Sequence, residues 1–269
     1  MKLAVFYDHV LRAAEQMGVS IEQALQTVRG MGYTMLEADL DHFDADPALM
    51  EKLRAAGFGI ANICCFLHFE RDDEYARGQR LIDTALRGGA ERIMPIPGLF
   101  SAENDAAELD RMTASMASLV ERAQKAGLDI TIEDYDNARS PIHSTRGMLH
   151  FLSDQPALGV SFDTGNFRFA AEDVLDAFEK LKDRIRHVHV KDRALKNMAG
   201  ESNKLALDGT KLYPCAVGEG VLPLETVFNR LKGLQYNRVL TVEHFDGDDQ
   251  MRLMAQSAAY MQQHFSFDK

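Results

Sequence analysis

The strongest constraint on the fold is a recurrence in the second half of the chain. Four short segments, DITIEDY, GVSFDTGN, RHVHVKD and RVLTVEHF, each alternate apolar and polar residues. Alternation at period two marks a strand, whose successive side chains point to opposite faces. One face carries Ile130 and Ile132, Val160 and Phe162, Val188 and Val190, Leu240 and Val242. The other carries Thr131 and Glu133, Ser161 and Asp163, His187 and His189, Thr241 and Glu243. The last polar residue before each loop is therefore Glu, Asp, His and Glu in turn.

The rest of the chain repeats strand then helix. KLAVFY, TMLEADL, FGIANICCF and ERIMPIPG read as the first four strands. Helices are expected over SIEQALQTVRGMGY, capped by Ser20 and stopped by Gly30 and Gly32, and over DPALMEKLRAAG, with Asp46 as N-cap and Pro47 in first position. Further helices are expected over 72–88, 103–126, 144–154, 170–183, 223–233 and 248–264. Eight strands alternating with eight helices in 269 residues predict a single-domain (β/α)₈ TIM barrel spanning 1–269. An open doubly wound sheet is the alternative, but no glycine-rich phosphate fingerprint supports it.

Composition removes several function classes. A net charge of −11 opposes a nucleic-acid backbone partner. No stretch is long and apolar enough to span a membrane, and MKLAVFYDHV reads as a first strand rather than a signal peptide. Cys64, Cys65 and Cys215 are too few and wrongly spaced for a disulfide framework or a structural zinc site, which fits a reducing, cytoplasmic setting. Cys65 is read as a small buried residue rather than a reactive thiol.

Consecutive barrel strands place their inward side chains around one point near the mouth. Glu133, Asp163, His189 and Glu243 thus form a candidate divalent-metal site, since clustered carboxylates are costly to bury without a compensating cation. A salt-bridged polar barrel interior is the competing reading. Oxygen-rich ligation with one imidazole suits Mn²⁺ first, with Mg²⁺, Co²⁺ and Zn²⁺ as alternatives.

Together TIEDYD, FDTGN, HVHVKD, the VGEG loop and TVEHF resemble the xylose-isomerase-like TIM barrels of the sugar phosphate isomerase/epimerase group. That group includes D-tagatose 3-epimerases, hydroxypyruvate isomerases, inosose dehydratases and endonuclease IV. The resemblance implies that Glu133 and Glu243 bind the metal and also move protons. It implies a carbohydrate substrate and allows a homodimer. Many relatives carry His where this chain has Asn166, so substrate identity does not transfer closely. Endonuclease IV fits poorly, because strand four ends in IMPIPG without a histidine and the chain is acidic.

Further candidates surround this set. Asn166 is expected to contact a sugar hydroxyl or to cap its loop. Lys191 would polarise a substrate oxygen or pair with a metal-site carboxylate. His68 after strand three, His143 above Glu133, and Glu37 at the end of strand two are candidate substrate contacts, each against a purely structural alternative. His187, one layer below His189, reads as packing or support rather than a ligand. The long connection 192–220 is expected to border the pocket, and its VGEG turn either to receive an anion or simply to lead into the next helix. The expected function is metal-dependent isomerisation or epimerisation of a keto-sugar or related polyol through an enediolate. The alternatives are a dehydratase or lyase of a keto-inositol or 3-keto-glycoside on the same site, and a non-catalytic sugar-binding barrel.

Overall fold

Parallel pairing closes on itself. The strands β1 (Lys2–Phe6), β2 (Met35–Asp39), β3 (Gly59–Phe66), β4 (Arg92–Ile96), β5 (Asp129–Glu133), β6 (Leu158–Asp163), β7 (Ile185–Val190) and, after three short strands in the long connection, β11 (Val239–Val242) form a closed barrel in chain order. This computed structural model describes residues 1–101, 106–198 and 203–268. The chain is the (β/α)₈ barrel that the strand count predicts.

The helices are α1 (Tyr7–Met17), α2 (Ile21–Gly30), α3 (Leu40–Ala45), α4 (Leu49–Ala55), α5 (Tyr75–Gly88), α6 (Ala106–Lys125), α7 (Thr145–Ser153), α8 (Val174–Leu181), α9 (Leu224–Gly233) and α10 (Gln250–His264). Ser20 caps α2 as expected, in a reciprocal capping box with Gln23. Two helices were not anticipated. α1 continues directly from β1 without a side-chain cap, and α3 is six residues long. Asp46 does not cap α4, which starts later; its carboxylate instead accepts from the Ala48 amide in the preceding turn. α5 likewise begins after Asp72 and Asp73, which accept from the Glu74 and Tyr75 amides. The expected start of the helix at 103–105 lies outside the described residues. None of the described helices is long and apolar enough to cross a membrane.

The main apolar core fills the ring between strands and helices. It receives Ile130, Ile132, Val160, Phe162, Val188, Val190, Leu240 and Val242 from the apolar strand faces. The barrel interior is mostly polar, with Glu37, Asn62, Arg92, Thr131, Ser161, His187, His189 and Thr241 all buried. Small apolar groups lie at two levels: Ala4, Met35, Ala61 and Val239, then Phe6, Cys64 and Met94. Register is staggered around the barrel. Glu133 lies beside Ser161, Asp163 beside His189, and Thr241 beside His189. The shear of a closed barrel carries these staggered residues to one point.

The long connection holds structure of its own. The strands β8 (Arg193–Ala194), β9 (Lys204–Leu205) and β10 (Lys211–Pro214) form a small antiparallel sheet in the order β8-β10-β9. Residues 199–202 of this connection are outside the described residues. The VGEG turn closes on Asp192, whose carboxylate accepts from the amides of Gly218 (3.1 Å), Gly220 (3.0 Å) and Leu222 (3.2 Å). A Cβ at Gly220 would collide with that carboxylate, so the turn requires glycine there. The turn therefore does cradle an anion, but the anion is the chain's own.

Removing the buried Asp192 carboxylate takes the acceptor from four amides, the buried one of Arg193 and those of Gly218, Gly220 and Leu222 in the partly exposed turn. Asp192→Ala is expected to lower stability by about 2–4 kcal/mol, given the strength of hydrogen bonds to charged groups. Urea unfolding monitored by circular dichroism checks this; a loss below about 0.5 kcal/mol would mean that water replaces the carboxylate.

Candidate metal centre

Asp163, at the end of β6, is held by its own loop. Its Oδ1 accepts from the amides of Gly165 (2.6 Å) and Asn166 (2.7 Å). Its Oδ2 is buried and has no hydrogen-bond partner among the described residues. At the end of β5, Glu133 Oε1 is hydrogen-bonded to His189 Nδ1. Glu243, just past β11, places Oε2 3.3 Å from the same nitrogen, and that oxygen also lacks a hydrogen-bond partner among the described residues. One ligand atom each from Glu133, Asp163, His189 and Glu243 lies within 4.8 Å of all the others. The residues fit a divalent ion: three carboxylates and one imidazole converge, and two buried carboxylate oxygens accept no hydrogen bond among the described residues.

Lys191 occupies one side of this cluster. Its Nζ contacts Glu243 Oε1, lies 2.7 Å from Asn166 Oδ1, and lies 3.4 Å from Asp163 Oδ2. A Cβ at position 165 would stand 2.7 Å from Lys191 Cγ, so Gly165 is what lets the lysine stem pass. Asn166 faces both ways: its amide donates to the Asp134 carbonyl (2.8 Å) while its oxygen receives Lys191.

The cluster opens into a cavity of about 340 Å³ at the carboxyl ends of the strands. Glu133, Asn166, Lys191 and Glu243 line it as expected, with Phe6, Cys64, Met94 and Phe245 as an apolar wall. The long connection reaches the cavity through Arg193 and Lys204, which both pair with Asp136 (3.0 and 2.5 Å).

Three expected substrate contacts do not line the cavity. Glu37 is fully buried below it and binds His187 and His189. His68 turns to Glu70 at 3.0 Å, and His143 to the Ser140 carbonyl at 2.6 Å. His187 lies in the supporting layer. Of the cysteines, Cys64 reaches the cavity, whereas Cys65 faces the outer core with its thiol pushed up to about 12 by burial. Sequence reasoning missed Asp8, Asp39, Asp136, Arg193, Lys204 and Asp246 as cavity residues. The signal for Asp136 and Arg193 was their position three residues beyond Glu133 and four beyond His189.

Comparison with known proteins now decides the lineage. The family model for the xylose isomerase-like TIM barrel matches residues 25–264. The chain belongs to that family. An inosose dehydratase of Lacticaseibacillus casei is 25% identical over 246 residues, covering 84% of this chain and 82% of its own. A D-allulose 3-epimerase from Methylomonas sp. superposes with a TM-score of 0.73 at 16% identity, covering 98% of both chains. The IolI protein, solved with a bound zinc atom, superposes with a TM-score of 0.75 at 15% identity, covering 99% of this chain and 100% of its own. The two structural likenesses establish the shared fold.

The electrostatics of the cluster are divided. Burial first, then Glu243 and Asp163, push the Glu133 carboxyl up to about 8 against the pull of His189. Burial also pushes Asp163 up to about 6, although Lys191 opposes it. Burial would raise Glu243 too, but Lys191 and His189 outweigh it and hold that carboxyl well below the usual range. A cation needs the ionised carboxylates and a free imidazole nitrogen. Burial would lower the His189 pKa, but the Glu133 and Glu37 carboxylates outweigh it and hold the imidazole well above its usual range. The ion must therefore displace the proton on His189 as well as those held by Glu133 and Asp163. Raising the pH removes those protons in advance, so affinity strengthens with pH across the interval from about 6 to about 8. Each proton displaced contributes about tenfold per pH unit. Calorimetric titration with Mn²⁺ across this interval is the measurement; a flat profile would contradict binding through these carboxyls.

Proposed function

We propose that this chain is a divalent-metal-dependent enzyme that removes a proton beside the carbonyl of an uncharged polyhydroxy ketone and expels water from the neighbouring carbon. The observation that carries this reading is Lys191, a buried ammonium on the cavity wall, set against Glu243 and beside the Glu133–His189 pair. Elimination needs a base and an acid together. Burial would lower the Lys191 pKa, but Asp163 and Glu243 outweigh it and keep the group an ammonium.

Glu133, Asp163, His189 and Glu243 would hold the cation, with Mn²⁺ first among the candidates. Bound there, it would supply positive charge against the negative charge developing on the carbonyl oxygen. Glu133 takes the α-proton; a carboxyl poised near neutral pH suits both taking and returning it. The electrons of the broken C–H bond first form an enolate; its collapse restores the carbonyl and makes the new C=C bond as the neighbouring C–O bond breaks. Lys191 gives its proton to the departing hydroxyl, which leaves as water. The proton on Glu133 then restores Lys191 through Glu243 or solvent.

The cavity's charges support an uncharged substrate. Arg193 and Lys204 are committed to Asp136, and Lys191 to Glu243. Asp192 fills the amide nest of the VGEG turn. Asp8, paired with His42, Asp39, which caps α3, and Asp246 also line the wall, and their carboxylates can accept from hydroxyl groups. The name of the L. casei relative supports loss of water.

A second reading, epimerase or isomerase, rests on a different observation. Glu133 and Glu243 both reach His189 Nδ1, so two carboxyls flank one point. The name of the Methylomonas structure supports it. Metal-loaded protein incubated with keto-inositols and ketohexoses in D₂O separates the two by NMR. An unsaturated product is expected. Deuterium uptake with inversion and no loss of water would establish the second reading instead. Lys191→Met is expected to lower dehydration by about 10²–10⁴-fold while α-proton exchange persists. Chelation should abolish turnover and Mn²⁺ restore it; undiminished turnover in metal-free protein would overturn both readings. Glu133→Gln should stop exchange while retaining part of the bound metal.

A further inference from the structure

Beneath the cluster runs a buried chain of polar contacts that the proposed reaction does not use. Arg92 Nη1 lies 3.1 Å from His187 Nδ1. His187 Nε2 is hydrogen-bonded to Glu37 Oε1, and Glu37 Oε2 lies 3.0 Å from His189 Nε2. Arg92 is 1% exposed, and Glu37, His187 and His189 are fully buried.

The chain has a direction, set by its first member. A guanidinium only donates. His187 Nδ1 must therefore accept, which places the His187 proton on Nε2. That proton points at Glu37, so His187 donates to the carboxylate. Thr241 Oγ1 donates to the same oxygen, and Asn62 Nδ2 donates to Oε2 at 2.8 Å. The Cys64 thiol lies 4.0 Å from Oε2, and His189 Nε2 reaches the same oxygen; an ionised carboxylate only accepts. His189 must then carry a proton on Nε2. Its Nδ1 faces Glu133 and Glu243, and in the neutral ring that nitrogen bears the lone pair.

We infer that Arg92, His187 and Glu37 are positioning residues that fix the tautomer and ring orientation of His189, so that Nδ1 is the nitrogen offered to a metal ion. This rests on the metal reading proposed above. The same geometry argues against a second metal site at Glu37, His187 and His189, although their ligand atoms cluster closely. Those atoms are already one another's hydrogen-bond partners, and Arg92 occupies the far side of His187.

The test combines two measurements on the full-length chain. Imidazole ¹⁵N NMR of the unmodified, metal-free protein should show His187 with its proton on Nε2; a proton on Nδ1 would overturn the inference without any variant. Because the Glu37 carboxylate also accepts from Nε2, Arg92→Met alone should keep the Nε2–H form, whereas Arg92→Met combined with Glu37→Gln, whose amide can present either oxygen or nitrogen, should let the two His187 tautomers mix. Retention of a single Nε2–H tautomer in that double variant would also overturn the assignment. Mn²⁺ titration is the second readout. Glu37→Gln should weaken binding by about 10–100-fold, the usual loss when an outer partner of a metal-binding histidine is removed. If the unmodified chain binds Mn²⁺ and Glu37→Gln binds it within about twofold, the positioning role fails and the metal reading stands. If the unmodified chain binds no divalent ion, the metal reading itself fails.

Discussion

Everything at the mouth of this barrel follows from burying like charges side by side. Glu133, Asp163 and Glu243 converge from three strands and are nearly inaccessible to water. In a low-dielectric interior such charges repel strongly, and each has also lost its hydration. The surrounding structure answers this strain residue by residue. The Gly165 and Asn166 amides take one oxygen of Asp163, Lys191 neutralises Glu243, and His189 stands between Glu133 and Glu243. Two of the carboxylate oxygens, Asp163 Oδ2 and Glu243 Oε2, meet only longer contacts to Lys191 and His189 and accept no hydrogen bond, and a cation is the natural complement for them.

The part of the site that was legible in the sequence was the part carried by period-two alternation. Glu133, Asp163, His189 and Glu243 each end a segment whose other face is a continuous apolar stripe, and the two faces separate cleanly in the structure. Depth was less legible. Glu37, expected at the end of strand two, is the third of the five residues of β2, and Asp39, two residues further along the same face, reaches the cavity in its place. How far up the barrel a residue sits depends on the stagger between neighbouring strands, which one strand's sequence does not encode. His68 and His143 lie on loops, and each is drawn aside by a local partner. α1 was missed because Phe6, an ordinary strand residue, stands where a polar cap would announce a helix.

The long connection shows how a loop acquires shape without a core of its own. Its three short strands pair antiparallel, and its return path is pinned by one carboxylate holding three amides. That anchor lies next to Lys191 and Arg193 in sequence, so the segment closing the turn also carries two cavity residues. Stability of the turn and shape of the cavity are thereby tied to the same few residues.

The donor-only end of the buried chain has a consequence for isotope traffic. A file of imidazoles and carboxylates can pass protons along when each member both gives and accepts. Arg92 does not accept, so the file ends blind at that side of the barrel interior. A hydrogen taken from a bound molecule at the mouth has no exit through the interior along this route. It leaves toward the open cavity or returns to the molecule it came from. In the proposed reaction, hydrogen lost from the reacting carbon would therefore pass to Lys191 or wash into solvent through the cavity, and the barrel interior would take no part in its loss.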